Sequence, residues 1–448
     1  MKKLSLLLLL VFILSRSFIW VFKPPAFSEI IYSYMPYAHL WASGVTPYLE
    51  QWYEYPPATI PLFYIPHWID KTTHGFPFHL NYSHAYRAEM LLIDVALFTL
   101  MWKVLRKLEV NKSVFVGGLL YYIVVTTKAH HFLYDTMDLA FAAAVAAGLS
   151  APLFLSSLSG TFWSWAGFAL AVALKYVNAP LALLYGLAAL PTKASSQSWA
   201  TYSRNLVSLQ LLYKMMAVVG GIALVWLFPL LYFRSSLMVS LVYQQIRGLQ
   251  IDSTPAVFVR VADRLQPSEH VIEVYKNYEI AGPISTQVLN QLAWIFPVSI
   301  GLFLLIGIII IGKNLHLHTH QRVPMLVWLT LGYFLVFMLT GKVLSRPFLF
   351  WHLPLLAFFP FKILKHQLAF TVPSTLMIWV TLSQASNDEV GFLTVPILVG
   401  LWRVLMIVIM SVGWVYVAYQ YFWLPVDISS SDKRHLKVTP PRKNVKFR

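Results

Sequence analysis

Long apolar runs separated by short polar segments dominate the chain. A membrane-spanning helix needs about 20 apolar residues, because a rise of about 1.5 Å per residue must cross roughly 30 Å of hydrocarbon. Two short runs, 163–174 and 178–190, flank Lys175 and Tyr176 and are expected to form a hairpin. The clear runs are 4–22, 83–104, 114–128, 138–158, 211–233, 291–311, 323–339, 348–361, 368–382 and 392–423. Since helices are required where no water satisfies the backbone, the pattern predicts an all-α polytopic membrane protein with about 12 transmembrane helices.

Composition supports the bilayer as the main solvent. Hydrophobic residues make up 58% of the chain, charged residues 12%, and the mean hydropathy is +0.64. The net charge of +16 could indicate nucleic acid, but the Lys and Arg residues lie in short clusters between apolar runs, which is typical of membrane topology. The absence of cysteine excludes disulfides and thiolate chemistry. We therefore expect no nucleic-acid partner and a fold held together by helix packing.

The basic clusters predict the orientation, because cytoplasmic loops carry an excess of Lys and Arg. Lys2 and Lys3 precede a first run that is too long for a signal peptide and lacks a small-residue cleavage pattern, so we expect an uncleaved first span. With the N-terminus inside, the clusters at 103–112, 193–204, 313–322, 362–365 and 433–448 are all cytoplasmic. The segments predicted to lie outside are 23–82, 128–137, 234–290 and 340–348.

The predicted organisation is a single transmembrane domain over residues 1–424, followed by a polybasic tail at 425–448. We expect interfacial helices in the first outer loop, 23–82, and in the second large outer loop, 234–290. The tail is expected to be cytoplasmic, disordered and in contact with anionic lipid headgroups, which polybasic segments attract. The protein would then lie in the plasma membrane, the inner membrane if bacterial, with membrane lipids as partners.

The first outer loop combines carboxylates with aromatic side chains. Glu29, Tyr32, Tyr48, Glu54 and Tyr55 all lie within it. Tyrosines favour the membrane interface, so an aromatic belt is one interpretation. A partly desolvated carboxylate, however, is a stronger base and suits proton removal from a hydroxyl, and aromatic faces suit sugar rings.

Prolines at 56, 57, 61 and 66 follow this group directly. Because proline interrupts helical hydrogen bonding, they predict a broken interfacial or re-entrant segment over 55–68.

Lys and Arg residues also occur in the segments predicted to lie outside, although these residues usually favour cytoplasmic loops. They are Lys128, next to His130, His131 and Asp135, and then Lys175, Arg247, Lys342 and Arg346. Each one alone is compatible with snorkelling to the membrane surface. Together, beside the carboxylate loop, they favour an anionic ligand such as a lipid phosphate.

Four ionisable residues lie inside predicted spans: Arg16, Arg87, Glu89 and Asp94. Hydrocarbon penalises such groups by a few kcal/mol each when they are unpaired, so they are expected to face the bundle interior and pair. A structural network is favoured over a proton relay, because most of them lie near span ends.

The ordered motifs of the outer segments resemble the C-type superfamily of integral membrane glycosyltransferases, in particular its bacterial polyprenol-phosphate-mannose-dependent mannosyltransferase-like branch. The matching residues in the first loop are Glu29, Tyr32, Gly44, Pro47-Tyr48 and Glu54-Tyr55-Pro56-Pro57. Further matches are Asp94, Lys175-Tyr176 with Pro180, the element 247–253 except Ile251, and Lys342 to Ser345 with Phe348 and Trp351. The chain departs from the branch in having Glu29 where Asp is usual, and Arg346-Pro347-Phe348 where Pro-Gln-Tyr is usual.

The resemblance implies an inverting transfer of a sugar, mannose in this branch, from a polyprenyl-phosphate donor to a hydroxyl of a glycolipid or glycan acceptor outside the cytoplasm. Glu29 is the candidate base, with Asp135 or Asp138 as alternatives. Lys175, Lys342, Arg346 and Arg247 are the candidate ligands of the donor phosphate. The candidate supporting or substrate residues are Tyr32, Tyr48, Glu54, Tyr55, Asp135 and Asp138. Since the phosphate leaves as a stable anion and cations already compensate its charge, we predict no metal and no cofactor beyond the lipid-linked donor.

Two other functions remain open from the sequence. A secondary transporter would also have about twelve spans, but its site would lie near the midplane between repeated halves, and no repeat is visible. A lipid-linked oligosaccharide ligase would use the same lipid phosphate on the same side of the membrane.

Overall fold

A computed structural model describes residues 2–23, 29–190, 209–274, 277–383 and 395–419. Most of these residues are helical, as predicted. The helices are α1 (Lys2–Phe22), α2 (Met35–Ala42), α3 (Thr59–Thr73), α4 (Tyr82–Lys107), α5 (Lys112–Lys128), α6 (His130–Tyr134), α7 (Asp138–Phe154), α8 (Ser157–Leu174), α9 (Ala182–Ala189), α10 (Leu209–Phe233), α11 (Met238–Ile246), α12 (Thr254–Asp263), α13 (Pro283–Lys313), α14 (Thr319–Thr340), α15 (Leu353–Phe358), α16 (Leu364–Ser383) and α17 (Val395–Ala418). A π-helical turn covers Ile30–Tyr34, and 3₁₀ turns cover Tyr176–Leu181, Arg234–Leu237 and Arg346–Phe350. The predicted polybasic tail at 425–448 lies outside the described residues.

Within these ranges, six helical segments are long and apolar enough to cross a membrane. They are Lys3–Phe22, Ser157–Leu174, Leu211–Ile246, Pro283–Lys313, Gln321–Thr340 and Ile397–Ala418. The large apolar side chains exposed along several of them, such as Phe228 at 69% and Trp294 at 76%, indicate lipid contact and an integral membrane protein. The predicted total of about twelve spans is not confirmed.

Two predicted spans illustrate why the count differs. The run 348–361 contains only the end of a 3₁₀ turn and the six-residue α15, whose residues are all buried. The run 178–190 lies in another 3₁₀ turn and the eight-residue α9. The run 348–361 is apolar because it fills the protein interior, the run 178–190 is only partly buried, and neither forms one long helix.

The second outer loop contains a small sheet that the sequence analysis did not predict. Strands β1 (Leu249–Gln250), β2 (His270–Val274) and β3 (Asn277–Ala281) form an antiparallel sheet in the order β1-β3-β2. Leu249 pairs with Ile280, and both are buried in a small apolar cluster with Val259 of α12. Helices α11 and α12 also lie in this loop, and Ser253 caps α12 by accepting a hydrogen bond from the Ala256 amide.

The predicted break over 55–68 is wrong, because α3 is continuous from Thr59 to Thr73. Pro61 lies in the first turn, where an amide hydrogen has no helical acceptor, so it is tolerated there. Pro66 lies inside the helix and is buried. The adjacent pair Pro56-Pro57 does precede a helix, and the carbonyl of Pro56 accepts a hydrogen bond from the Thr59 hydroxyl.

Three of the four ionisable residues of the predicted spans are paired, as expected of a structural network, whereas Glu89 Oε2 is buried without a hydrogen-bond partner among the described residues. Arg16 of α1 contacts Asp94 of α4 at 2.8 Å, with both side chains almost fully buried. Arg87 of α4 contacts Asp135 at 2.6 Å, close after α6. These two pairs tie the first outer loop's flanking helices to the segment that leads into α7.

Candidate active site

A cavity of about 1000 Å³ opens where the predicted outer segments meet. Its walls come from the first outer loop, the start of α7, the turn after α8, the end of α11, the outer part of α13 and the segment after α14. Its charged lining residues are Glu29, Glu54, Asp138, Lys175, Arg247 and Lys342. The structure therefore brings together groups that are up to 313 positions apart in the chain.

Glu29 lies directly before the π-helical turn, at one wall of the cavity. The Tyr55 hydroxyl donates a hydrogen bond of 3.3 Å to its Oε2. Its side chain is open to the cavity, while the protein around it displaces bulk water, and this desolvation raises the pKa of the Glu29 carboxyl. Lys175 lowers the same pKa and Asp138 raises it, so both lie within electrostatic reach of Glu29.

Aromatic packing holds this wall in place. Tyr34 stacks on Phe63 of α3 at 4.0 Å between ring centroids and accepts a hydrogen bond from the Met137 amide. Tyr34 and Tyr55 are buried, and burial together with the charge of Glu29 raises the pKa of both phenols. They stay neutral, so Tyr55 acts as a hydrogen-bond donor to Glu29.

Lys175 and Asp138 form a close ion pair in the lining of the cavity. Lys175 follows the last residue of α8 in an extended conformation, and its Nζ lies 2.8 Å from Asp138 Oδ1. The same carboxylate oxygen accepts a hydrogen bond of 2.5 Å from the Trp351 indole. The ammonium also lies 4.2 Å from the ring centroid of Phe348, a cation–π contact. Asp138 is thus already engaged by the Lys175 ammonium and the Trp351 indole, whereas the hydrogen-bond partners of Glu29 are the neutral phenols of Tyr55 and Tyr34.

Lys342 and Arg247 form a second cationic group. Lys342 Nζ donates hydrogen bonds to the carbonyls of Gln245 at 2.8 Å and Arg247 at 2.5 Å. Burial, and then the charge of Arg247, lowers the pKa of the Lys342 ammonium. Arg247 Nε lies 3.9 Å from Glu279 Oε1 on β3, so the unpredicted sheet positions this guanidinium.

The remaining first-loop residues shape the wall. Glu54 lines the cavity and accepts a short hydrogen bond from Tyr37. Tyr48 is buried behind it and donates to the carbonyl of Tyr55 at 2.5 Å, which makes it a support for the cavity wall. Tyr48 has φ 65°, a left-handed conformation that costs energy for a bulky residue and marks a constrained turn.

Four predicted site residues do not line the cavity: Tyr48, which lies behind its wall, and three others. Asp135 is buried and accepts hydrogen bonds from Arg87 Nε at 2.6 Å and Arg87 Nη2 at 2.9 Å, so it is not placed to act as the base. Arg346 is directed to Asp252, 3.5 Å away. Tyr32 is 59% exposed on the outer side of the π-helical turn.

The apolar wall contributed by α13 was not predicted from the sequence. Leu289, Ala293, Phe296 and Pro297 line the cavity from this helix. Their spacing of three to four residues is a readable helical stripe. It was not distinguished in the sequence, because it lies where the polar first turns of α13 pass into the apolar run 291–311.

The pH dependence of the site follows from Glu29. If its carboxylate accepts a proton, activity requires the deprotonated form, and the raised pKa moves the loss of activity to higher pH than for an ordinary glutamate of about 4.3. We expect kcat/KM to fall as the pH is lowered through this raised pKa. This fall in kcat/KM should occur at the same pH in wild type and in Glu54→Gln. A fall only at or below the ordinary glutamate pKa would contradict the role of Glu29.

Comparisons with known proteins leave the family open. No protein-family model matches the chain, and no curated protein matches it by sequence. Three chains of solved structures match. One is the crystal structure of ArnT from Cupriavidus metallidurans bound to undecaprenyl phosphate, with 12% identity and a TM-score of 0.42 over 92% of this chain and 76% of that chain. A likeness this weak assigns neither a family nor a function to this chain.

Proposed function

We propose that the protein is an inverting glycosyltransferase that moves a sugar, mannose by the resemblance of its motifs, from a polyprenyl-phosphate donor to a hydroxyl acceptor on the extracytoplasmic face. The observation that carries the proposal is one cavity in which Glu29 shares the lining with Lys175, Arg247 and Lys342. A base and a group of cations in one cavity are the elements that transfer away from a phosphate requires.

The reaction assigns a role to each charged wall. The acceptor oxygen attacks the anomeric carbon of the donor while Glu29 takes the hydroxyl proton. The bond between that carbon and the phosphate oxygen breaks, and its electron pair leaves with the phosphate. Lys175, Lys342 and Arg247 stabilise the negative charge that develops there, an effect that grows where water is excluded. No acid is needed, since the leaving group departs as a stable anion.

The α13 wall accounts for the lipid part of the donor. Phe296 lines the cavity, and its neighbours Trp294, Ile295 and Val298 are strongly exposed along the same helix. An apolar chain can therefore extend from the cavity along α13 into lipid without leaving an apolar surface. Within the described residues, no group of three or more His, Asp or Glu side chains is arranged to hold a metal ion.

The charge distribution argues against a transporter. The ionisable lining gathers at one end of the bundle, whereas transporter sites lie near the midplane. An oligosaccharide ligase would share the phosphate and differ in what it transfers.

Transfer of radiolabelled sugar from synthetic polyprenyl-phosphate-mannose, in membranes that contain the wild-type protein, tests the proposal. We expect a labelled product with inverted anomeric configuration. Failure with a panel of polyprenyl-phosphate sugars and membrane acceptors would reject glycosyl transfer, and transfer of a whole oligosaccharide from a lipid pyrophosphate would establish the ligase.

Loss of one phosphate ligand should weaken donor use. Lys342→Met keeps most of the side-chain volume and removes the charge, so we expect kcat/KM for the donor to fall by roughly 10²-fold, as for loss of one donor to a developing anion. Lys71→Met removes an exposed cation of the first loop that does not line the cavity, and should leave kcat/KM unchanged. Equal effects of the two substitutions would rule out a specific role for Lys342.

A further inference from the structure

A second cavity, of about 570 Å³, lies at the opposite end of the bundle from the candidate active site. It is formed by α1, α4 and α7. Helix α7 begins at Asp138, which lines the active-site cavity, and ends at Phe154, which lines the second cavity. No residue lines both cavities. In the predicted orientation this second cavity faces the cytoplasmic leaflet.

Three cations rim this cavity. Lys103, Arg106 and Lys107 lie in the last turns of α4, and their spacing of three and four residues puts them on one side of the helix. All three side chains are exposed, and within the described ranges none of them forms an ion pair or a side-chain hydrogen bond. A helix C-terminus attracts positive charge, but three like charges so close together repel each other. An anion between them would relieve that repulsion.

The floor of the cavity is apolar and aromatic. Leu9 of α1 and Phe154 of α7 are 39% and 42% exposed, and both face the cavity. Trp102 is partly buried between them, and its ring lies 5.6 Å from that of Phe115 in an edge-on contact. Tryptophan favours the level of the lipid headgroups, so the cavity spans the boundary between headgroup and acyl chain.

We propose that this basic groove, defined by Lys103, Arg106, Lys107 and the apolar floor, binds an anionic phospholipid of the cytoplasmic leaflet. The cations would hold the phosphate, and Leu9, Trp102 and Phe154 would contact the upper acyl chain. Basic pockets between transmembrane helices on the cytoplasmic side are the form in which lipid headgroups are recognised. Anionic lipid is attracted to any basic surface, whether or not that surface has an apolar floor. The apolar floor is what makes this groove a specific site.

Native mass spectrometry of the purified full-length protein, titrated with dioleoylphosphatidylglycerol or dioleoylphosphatidylcholine, tests the proposal. We expect wild type to retain the phosphatidylglycerol selectively. The triple substitution Lys103→Ala, Arg106→Ala and Lys107→Ala should reduce that retention by roughly tenfold or more, since each cation near a lipid surface contributes to the attraction. The charge-preserving triple Lys103→Arg, Arg106→Lys and Lys107→Arg should retain the lipid, which excludes misfolding as the cause.

A matched control removes three cations elsewhere on the same predicted face. Lys3, Lys112 and Lys365 are exposed and do not line the groove, so their substitution by alanine lowers the net charge equally. We expect this control to retain phosphatidylglycerol within about twofold of wild type, as for surface changes away from a site. Equal loss in both alanine triples, or loss in neither, would overturn the proposal. Displacement of phosphatidylglycerol by undecaprenyl phosphate at stoichiometric amounts would assign the groove to a prenyl lipid and overturn it as well.

Discussion

Glu29→Gln should abolish sugar transfer while leaving the protein folded. The amide keeps the size of the side chain and a hydrogen-bond acceptor for Tyr55, but it cannot take the proton of the acceptor hydroxyl. Loss of a general base costs typically 10²- to 10⁴-fold, so we expect kcat to fall by about that factor with little change in donor binding. The measurement is single-turnover transfer from the lipid-linked donor, with donor affinity determined separately.

Two further variants test whether the loss of activity is specific to Glu29. Glu50→Gln makes the same change in the same loop at an exposed side chain that does not line the cavity, and it should remain fully active. Asp138→Asn distinguishes the alternative base. Because Asp138 already accepts contacts from Lys175 and Trp351, its loss should disturb the placement of Lys175 and raise KM for the donor. Full turnover by purified Glu29→Gln, together with an inactive Asp138→Asn, would transfer the role of base to Asp138.

The helices were predictable where apolar length alone defines them. The run 323–339 lies within α14 (Thr319–Thr340), and 211–233 within α10 (Leu209–Phe233). The run 291–311 is shorter than α13, which begins at Pro283, because the first turns of that helix contain the polar residues Ser285, Thr286 and Gln287. A hydropathy pattern detects the part of a helix in lipid and misses a polar extension of the same helix.

Apolar runs in the interior were the main source of error. The run 348–361 is as apolar as a span, yet prolines at 347, 354 and 360 limit helix length and the segment is buried under α14 and α5. Lipid and protein interior are both apolar solvents, so composition does not distinguish them. The small sheet was missed for a different reason, since β1 has two residues and β2 is mostly exposed, and neither gives a clean alternation.

The candidate site was predictable as a set of residues but not as a geometry. Glu29, Lys175, Arg247 and Lys342 line one cavity, as their shared predicted side of the membrane favoured. Arg346 was predicted by the same reasoning and points away, because Asp252 lies 3.5 Å from its Nε. Which partner a cation takes depends on the folding of the loop 234–290, whose structure could not be predicted from the pattern.

The buried pair of Arg16 and Asp94 should be the most sensitive stability determinant in the bundle. Asp94 is fully buried and accepts hydrogen bonds from Arg16 Nε at 2.8 Å, from Tyr122 at 2.6 Å and from Tyr134 at 2.7 Å. Arg16 also donates to Thr126 at 2.7 Å, so the group joins α1 to α4, α5 and α6. These helices carry the segment that leads into Asp138, which connects the network to the cavity.

Arg16→Met should therefore lower the free energy of unfolding by about 3–5 kcal/mol, because it leaves a buried carboxylate without its counter-charge. The double substitution Arg16→Met with Asp94→Asn removes both charges and keeps an acceptor oxygen for the tyrosine hydroxyls, so it should recover most of that loss. Thermal unfolding in detergent, with size-exclusion chromatography to measure the folded fraction, gives both values, and Lys71→Met serves as the control for loss of an exposed cation. If the network is structural, the recovered double variant also transfers sugar at the wild-type rate. A double variant that is as stable as wild type but inactive would show instead that the buried charges take part in function.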